Sequence, residues 1–143
     1  LKGTELHFNG QWKKISFDAN YTMQQPRNRQ VGANYEHILA RSARQSGRVN
    51  LGYRFNKSQL STNINIIGPR YDDLANTNRM GGYATLDLLG NIELTKHSGF
   101  SIQAKLGNLF NRTYATALGW DPTIPYKQEG RSVFVTLRYQ PVK

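Results

Sequence analysis

The feature that most constrains the fold is an alternation of apolar and polar residues that recurs along almost the whole chain. From Lys14 to Gln24, apolar residues occupy the odd positions and polar residues the even positions without exception. Successive side chains of a β-strand point to opposite faces, so this period predicts a strand with one apolar and one polar face. The same period returns near 4–9, 42–55, 59–66, 83–94, 100–106 and 132–139. The sequence therefore predicts an all-β fold, an antiparallel up-and-down meander of about seven long strands, in which Leu89 and Phe134 are exceptions.

The predicted strands have about 9 to 13 residues, which is longer than the strands of most soluble sheets. Eleven residues at about 3.3 Å each, tilted near 45°, cross roughly 25 Å, the height of the apolar band of an outer-membrane barrel. Short turns are predicted at 9–11, 56–58 and 95–99, and long connections at about 25–40, 69–82 and 111–130. Outer-membrane barrels alternate short periplasmic turns with long outer loops, so this pattern favours a transmembrane barrel over a soluble sandwich.

The composition narrows the possible functions. The chain has no cysteine and three scattered histidines, so neither a disulfide framework nor a metal site is expected, and no resident cofactor is implied. The formal net charge of +10 raises the question of nucleic-acid binding. Aromatic and charged residues lie on opposite predicted strand faces, however, which argues against a stacking platform for bases. A mean hydropathy of −0.63 is compatible with a barrel, because half of its strand residues face water.

The two predicted strand faces also differ in where their special residues lie. Aromatic residues near the strand ends of the apolar face are typical of the interfacial girdles of membrane barrels. These are Phe8, Tyr21, Tyr53, Phe55, Tyr83, Phe100 and Tyr139. The opposite face carries charged residues that we expect to line a lumen, among them Arg44 and Arg48.

Two segments near the end of the chain resemble the last two strands of TonB-dependent outer-membrane receptors. They are GNLFNRTYATALGW from Gly107 and GRSVFVTLRYQ from Gly130. In that family an Asn-Leu-Phe-Asx element ends the penultimate strand, an outer loop follows, and Gly-Arg opens the closing strand. The matching residues here are Asn108, Leu109, Phe110, Asn111, Gly130 and Arg131. The upstream segments RSARQSGRVNLGYRF (41–55), GPRYDD (68–73) and MGGYATLDL (80–88) resemble the cobalamin transporter branch.

This resemblance implies the C-terminal section of a large transmembrane β-barrel of about 22 strands, with the N-terminal plug and earlier strands outside residues 1–143. The chain starts within a patterned segment, which also suggests part of a longer protein. The implied function is import of a scarce ligand, energised by the TonB complex. Cobalamin is the first expectation for that ligand, and a ferric siderophore or haem is the alternative. The plug, the outer-membrane lipid and lipopolysaccharide are the further partners implied.

Ligand contacts are expected from polar and aromatic side chains of the outer loops, because aromatic residues with polar tips suit small-molecule capture. The candidates are Arg27, Asn34, Tyr35, Tyr71, Asp72, Asp73, Asn76, Trp120, Asp121 and Tyr126. For each of them, packing between loops or contact with lipopolysaccharide phosphates is the alternative role. Plug or barrel carboxylates are the expected partners of Arg44 and Arg48.

An outer-membrane barrel enzyme is the other class of function. Its chemistry would need a nucleophile, a base and an orienting group in the outer loops. The best such set is His37 with Asp72 and Asp73, and no residue spacing supports it.

The number of strands bears on how the chain assembles. Single-chain bacterial barrels have an even number of strands, at least eight, so seven strands do not close one. We therefore expect a place in a larger barrel, or an open sheet that associates through its two unpaired edges. Pro141 cannot donate to a strand ladder, so pairing of the last strand is predicted to end near Tyr139.

Overall fold

The computed structural model describes residues 2–94, 99–119, 121 and 123–141. Seven strands form one antiparallel sheet whose spatial order follows the chain. They are β1 (Lys2–Trp12), β2 (Ile15–Gln25), β3 (Gln45–Phe55), β4 (Ser58–Ile67), β7 (Tyr83–Glu93), β8 (Phe100–Gly107) and β11 (Ser132–Tyr139). The predicted all-β meander is confirmed. Within the described residues, no helix is long and apolar enough to cross a membrane.

Strand lengths agree with the prediction except at the end of the sheet. Strands β1 to β4 and β7 have 10 or 11 residues, whereas β8 and β11 have eight, below the predicted range. Strand β8 stops because Asn108 adopts a φ of 49°, which an extended strand cannot continue. Strand β11 ends at Tyr139, as predicted, and the N–H of Gln140 makes one last bond to the carbonyl of Gly99 at 2.8 Å.

The first tight turn was predicted at 9–11, and this prediction is wrong. Strand β1 continues through Gly10, whose Cα partner on β2 is Phe17. The phenyl ring of Phe17 lies over Gly10, where an added Cβ would come within 2.6 Å of the ring. Gly10 therefore serves cross-strand packing, and the turn is made at 13–14 by Lys13 with a φ of 53°.

Short and long connections alternate as predicted. The turn expected at 56–58 is present, with Asn56 at a φ of 54°. The third expected turn falls on residues 95–98, which lie outside the described part of the chain. Because neighbouring strands run antiparallel, the three long connections leave the same end of the sheet. We call residues 26–44, 68–82 and 108–131 the first, second and third long loops.

Two of the long loops contain a short two-stranded ribbon that the sequence pattern did not predict. In the second loop, β5 (Arg70–Tyr71) pairs with β6 (Arg79–Met80). In the third loop, β9 (Ala115–Leu118) pairs with β10 (Pro125–Lys127). These loops therefore have their own backbone hydrogen bonds.

The polar face of the sheet is arranged in transverse rows. One row crosses five neighbouring strands as successive Cα partners: Asn9, Asp18, Asn50, Asn63 and Asp87. The amide of Asn50 donates to the carboxylate of Asp18 at 3.0 Å, and the amide of Asn63 donates to Asn50. Polar side chains on this face thus satisfy one another across strands.

Leu89 and Phe134, the two exceptions to the alternation, share one row of the polar face. Both are Cα partners of Lys105, one from β7 and the other from β11. They line the same shallow groove of about 340 Å³, together with the polar side chains of Gln103 and Thr136. The two exceptions are therefore a localised apolar patch on a polar wall.

Tyr83 also lies on the polar face, so its assignment to the aromatic girdle is wrong. Its Cα partner is Ile67, and it shares the side of β7 that carries Asp87. The Tyr83 ring stacks on the ring of Tyr114 in the third long loop, with centroids 4.2 Å apart.

The apolar face has no protein layer packed against it within the described part of the chain. Phe8 is 62% exposed, Val133 66% and Leu137 63%. The deeply buried apolar residues of the described part are instead in the long loops, namely Met80 and Pro26. A continuous apolar surface of this extent marks contact with another apolar medium, and strands of this length match a bilayer.

Candidate functional site in the long loops

The first and second long loops are joined at Arg41. Its backbone N–H donates to the carbonyl of Tyr71 at 2.6 Å, and its Nε donates to Oδ1 of Asp72 at 2.8 Å. The carboxylate side chain is only 13% exposed. The hydrogen bond from Arg41 holds the pKa of Asp72 below its ordinary value of 3.8, and the backbone N–H of Leu118 in the third loop lowers it further. This carboxylate thus lies where all three loops meet.

A second joint between the same two loops is made by Asn76. Its Oδ1 accepts from the N–H of Ile38 at 2.7 Å, and its Nδ2 donates to the carbonyl of Ile38 at 2.8 Å. The side chain of Asn76 thereby satisfies both backbone groups of Ile38, as a neighbouring β-strand would. Close by, the ring of His37 bonds to the carbonyl of Leu74 at 3.1 Å.

The third long loop contacts the second through Arg70. This side chain is 5% exposed and donates from Nη2 to the carbonyl of Ala115 at 2.8 Å. Its guanidinium carbon also lies 5.4 Å from the centre of the Tyr83 ring, an attractive cation–π arrangement. Its Nη1 is buried without a hydrogen-bond partner among the described residues. An unsatisfied buried donor is costly, so this contact is less well satisfied than the joints made by Arg41 and Asn76.

The Asn-Leu-Phe-Asn segment forms the start of a closure at the base of the third loop. Asn108 is 7% exposed, and its side chain binds both backbone groups of Arg112. Oδ1 accepts from the N–H at 2.8 Å, and Nδ2 donates to the carbonyl at 2.9 Å. The backbone N–H of Asn108 donates to Asp87 at 2.8 Å, which ties the turn to the sheet.

The Gly-Arg segment completes this closure. Oδ1 of Asn111 accepts from the N–H of Arg131 at 2.9 Å, and Nε of Arg131 donates to the carbonyl of Leu109 at 3.0 Å. At Gly130 an added Cβ would lie 2.6 Å from Oδ1 of Asn111, so a side chain does not fit there. We call Asn108, Asn111, Gly130 and Arg131 the clasp. The sequence flagged these residues as a family motif, but their physical role became visible only in the structure.

Several candidate ligand residues use their polar groups within the loops. Arg27 donates to the carbonyl of Glu36 at 2.9 Å, and Asp73 accepts from the N–H groups of Thr77 and Asn78 within its own loop. Asp121 accepts from the N–H and hydroxyl of Thr123, which lower its pKa. Asp72 and Asn76 form the joints described above. These contacts agree with the packing role that the sequence left open for each candidate.

Four other candidates make no hydrogen bond through their own side-chain polar groups among the described residues. Tyr35 is 48% exposed and Tyr126 62%. Asn34 and Tyr71 are half-buried, and it is the backbone carbonyl of Asn34, not its side-chain amide, that accepts a hydrogen bond from the side chain of Asn28. Trp120 lies outside the described part of the chain. Tyr35 and Tyr126 are thus the most accessible aromatic candidates in the described loops.

Of the two arginines expected to line a lumen, Arg48 lies on the polar face of β3 and Arg44 is the last residue of the first long loop. Nε of Arg48 donates to the amide oxygen of Asn65 at 2.9 Å. Arg44 lies near the start of β3, in a groove of about 510 Å³ that also includes Arg27 and Lys2. A second groove of about 340 Å³ lies beneath the third loop and is lined by Asp87, Lys105, Asn108, Tyr114 and Glu129.

The polar groups of the residues proposed for an enzyme are bonded to other partners. The ring of His37 binds a backbone carbonyl, Asp72 binds Arg41, and Asp73 caps its own loop. Within the described ranges, no group of three or more His, Asp or Glu residues could hold a metal ion.

Comparison with known proteins agrees with this architecture. A family model described as TonB dependent receptor-like, beta-barrel matches residues 1–109. The vitamin B12 transporter BtuB of Vibrio vulnificus is 30% identical over 105 residues, 73% of this chain and 16% of that protein. The vitamin B12 transporter BtuB of Photobacterium profundum is 26% identical over 102 residues, 71% of this chain and again 16% of the relative. The chain therefore spans only a small part of the length of these relatives.

Solved structures with the same fold include the ferric yersiniabactin uptake receptor FyuA from Yersinia pestis. It superposes with a TM-score of 0.84 at 22% identity, covering 96% of this chain and 23% of the receptor. At this identity the likeness shows the fold. Together with the match to the family model, it shows that the chain belongs to the TonB-dependent receptor-like β-barrels of the Gram-negative outer membrane.

Proposed function

We propose that the chain is part of an active importer of cobalamin, in which the long loops capture the ligand outside the membrane and the polar face of the sheet forms part of the lumen wall. The observation that carries this proposal is the sequence similarity to two vitamin B12 transporters over more than two thirds of the chain. The region matched by the family model includes the first two long loops and six of the seven sheet strands described above.

The chemistry of the two surfaces suits such a ligand. Cobalamin presents a macrocycle edged with carboxamide groups, which both donate and accept hydrogen bonds. Tyr35 and Tyr126 offer exposed rings with hydroxyl tips at the loops. Below them, the polar face is rich in side-chain amides, such as Asn50, Asn63 and Asn65, that can bind carboxamides in the same way.

The partners of the complete receptor follow from the same proposal. A plug domain from another part of the protein would lie against the polar face, where Arg44 and Arg48 are available to its carboxylates. The TonB complex would act through that plug. The exposed apolar face would contact the lipid of the outer membrane, and the basic loop residues would contact lipopolysaccharide phosphates.

Equilibrium binding to the full-length receptor tests the ligand. We expect the receptor to bind cobalamin, and we expect Tyr35→Ala and Tyr126→Ala each to weaken binding by about tenfold, the loss of one well-packed aromatic contact. The matched controls are Val31→Ala, in the same loop as Tyr35, and Ile124→Ala, in the same loop as Tyr126; both residues are highly exposed. Tight binding of a ferric siderophore with no affinity for cobalamin would replace the proposed ligand.

A ferric siderophore is the second candidate because of charge. The formal net charge is +10, and Arg27, Arg44 and Lys2 share one groove near the long loops. Many ferric siderophores are anionic, so such a groove would attract them. This candidate predicts binding that weakens steeply with salt, whereas binding of cobalamin through hydrogen bonds and ring contacts would depend on salt only weakly.

A further inference from the structure

The first and second long loops meet through a set of contacts that leaves little freedom between them. Asn76 satisfies both backbone groups of Ile38, and Asp72 accepts from both Nε and Nη2 of Arg41, at 2.8 and 3.5 Å. The partners in these contacts are 31 to 38 residues apart in sequence. The joints are therefore tertiary contacts between two loops and are not part of the local structure of either one.

We propose that Asp72 and Asn76 are positioning residues that hold the first long loop against the second, so that the loops present a preassembled capture surface. This inference rests on the proposed function, because it assigns these two residues to the same ligand-capturing loops. A flexible loop loses conformational entropy when it binds a ligand. If the loop is already ordered, binding no longer has to overcome that loss. Tyr35 precedes Ile38 by only three residues, so the joint at Ile38 restrains the part of the loop that carries the Tyr35 ring.

The geometry distinguishes these residues from ligand contacts. Both polar atoms of the Asn76 amide bind Ile38, and the carboxylate of Asp72 binds the guanidinium of Arg41. The ligand contacts of the same surface would come instead from side chains with exposed polar tips, such as Tyr35. Loss of a joint is expected to act on the ligand only through the position of the loop.

The second loop contains a matched neighbour for each positioning residue. Asp73 is adjacent to Asp72, yet its carboxylate accepts hydrogen bonds from Thr77 and Asn78, residues of its own loop. Asn78 has the same side chain as Asn76, and no side-chain hydrogen bond to the first loop involves it in the described ranges. Within each pair, the same substitution removes a contact between loops at one position and no such contact at the other. A comparison of the two variants therefore isolates the effect of losing the contact.

The distance between the loops tests the joints directly. Spin labels attached to cysteines at Val31 and Ala75, both exposed, report this distance in the full-length receptor in bilayers. Residues 1–143 contain no native cysteine to compete for the label. We expect a narrow distance distribution that broadens in Asn76→Ala and Asp72→Asn and stays narrow in Asn78→Ala and Asp73→Asn. Equal distributions in all four variants would overturn the proposal.

Ligand binding tests the positioning role. We expect Asn76→Ala and Asp72→Asn each to weaken cobalamin binding by about tenfold through lost preorganisation. The exchanged pair Arg41→Asp with Asp72→Arg is expected to restore part of the narrow distribution and of the affinity, because it rebuilds the ion pair but not the hydrogen bond from the backbone N–H of Leu118. The exchange moves the carboxylate from the second loop to the first. If the Asp72 carboxylate touched the ligand directly, the exchange would therefore not restore the affinity.

Each result has a defined meaning. Weakened binding with an unchanged distance distribution would make the two residues ligand contacts and overturn the proposal, as would a broadened distribution with unchanged affinity. The proposal would also be overturned if the exchanged pair gave a narrow distance distribution but did not recover the affinity for cobalamin. A receptor that binds no cobalamin would remove the proposed ligand, whereas the distance measurement would still decide the joints because it needs no ligand.

Discussion

The side-chain oxygen of Asn111 accepts a hydrogen bond at 2.9 Å from the backbone N–H of Arg131, twenty residues further along the chain. This bond closes the base of the third long loop where β8 ends and β11 begins. The two segments that resemble receptor motifs, Asn-Leu-Phe-Asn and Gly-Arg, are thus two halves of one physical closure. A long loop that starts and ends in a fixed clasp can vary in its outer part without disturbing the sheet.

Replacement of Gly130 by alanine is expected to open the clasp. The added Cβ would lie 2.6 Å from Oδ1 of Asn111, so the hydrogen bond to Arg131 must be displaced. We expect a loss of about 0.5–1.5 kcal/mol in the free energy of unfolding, the usual net contribution of one hydrogen bond, because Asn111 and Arg131 are exposed. We expect this loss of stability to appear as faster proteolysis at Lys127 in the third loop and as a lower melting temperature in detergent.

The control for this change is Gly81→Ala in the second loop, where an added Cβ has no neighbour within 4 Å. It is expected to behave like the wild type. The double variant of Gly130→Ala with Asn111→Ala removes the clashing oxygen, so its effect should be less than the sum of the single effects. Strict additivity would contradict the clasp.

Val133 and Phe134 are adjacent apolar residues on opposite faces of β11, and they should respond differently to a charge. Val133 pairs with Leu106 on the apolar face, whereas Phe134 pairs with Lys105 on the polar face. We expect Val133→Arg to cost up to about 2–4 kcal/mol, because the cost of a lipid-facing arginine rises from the interfaces to that range at the middle of the bilayer. Phe134→Arg should cost much less, because its side chain meets water.

Denaturant unfolding of the receptor in lipid vesicles measures both variants. Spin labels at Phe17 and Asp18 on β2 provide an independent check of the same two faces. The label at Phe17 should be accessible to oxygen dissolved in lipid, and the label at Asp18 to a water-soluble relaxation agent. Equal contact of both labels with the acyl chains would contradict the assignment of faces.

The joint between Arg41 and Asp72 should persist over a wide range of pH and fail only in acid. The pKa of Asp72 lies below its ordinary value of 3.8, first because of the hydrogen bond from Arg41. A carboxylate with a lowered pKa contributes its full stabilisation above the ordinary value and loses it as the pH falls through the lowered one. The joint should therefore be intact from neutral pH to about 4.

Mobility of a spin label at Val31 in the first loop measures this transition. We expect constant mobility between pH 7 and about 4 and an increase only below that range. In Asp72→Asn the label should be mobile throughout and insensitive to pH. A transition near neutral pH in the wild type would show that another group controls the loop.

The chain expressed by itself should not behave as a soluble monomer. In the sheet, β1 and β11 are the outer strands and have no partner on their free edges in the described part of the chain. The apolar face is also exposed, as shown by Val135 at 67%. Size-exclusion chromatography should show aggregates in plain buffer and smaller species in detergent. A monodisperse monomer without detergent would contradict this expectation.

The sequence by itself determined the seven strands of the main sheet, the two faces of that sheet and the alternation of short and long connections. These features depend on a period of two and on turn residues, both of which are local properties of a chain whose strands separate lipid from water. The resemblance to receptor motifs also identified the clasp residues, of which Asn108 and Asn111 have a positive φ and Gly130 lies close against the side chain of Asn111.

Only the tertiary structure decided which distant residues meet. Gly10 suggested a turn in sequence, but the register with Phe17 makes it a packing position. Tyr83 suggested a girdle, but its parity on β7 places it on the polar face. The contacts of Asp72 and Asn76 depend on the pairing of whole strands, which brings loops more than thirty residues apart to one end of the sheet. Such contacts leave no periodic signal in the sequence, because a contact between two distant residues does not restrict which residue types stand next to either of them.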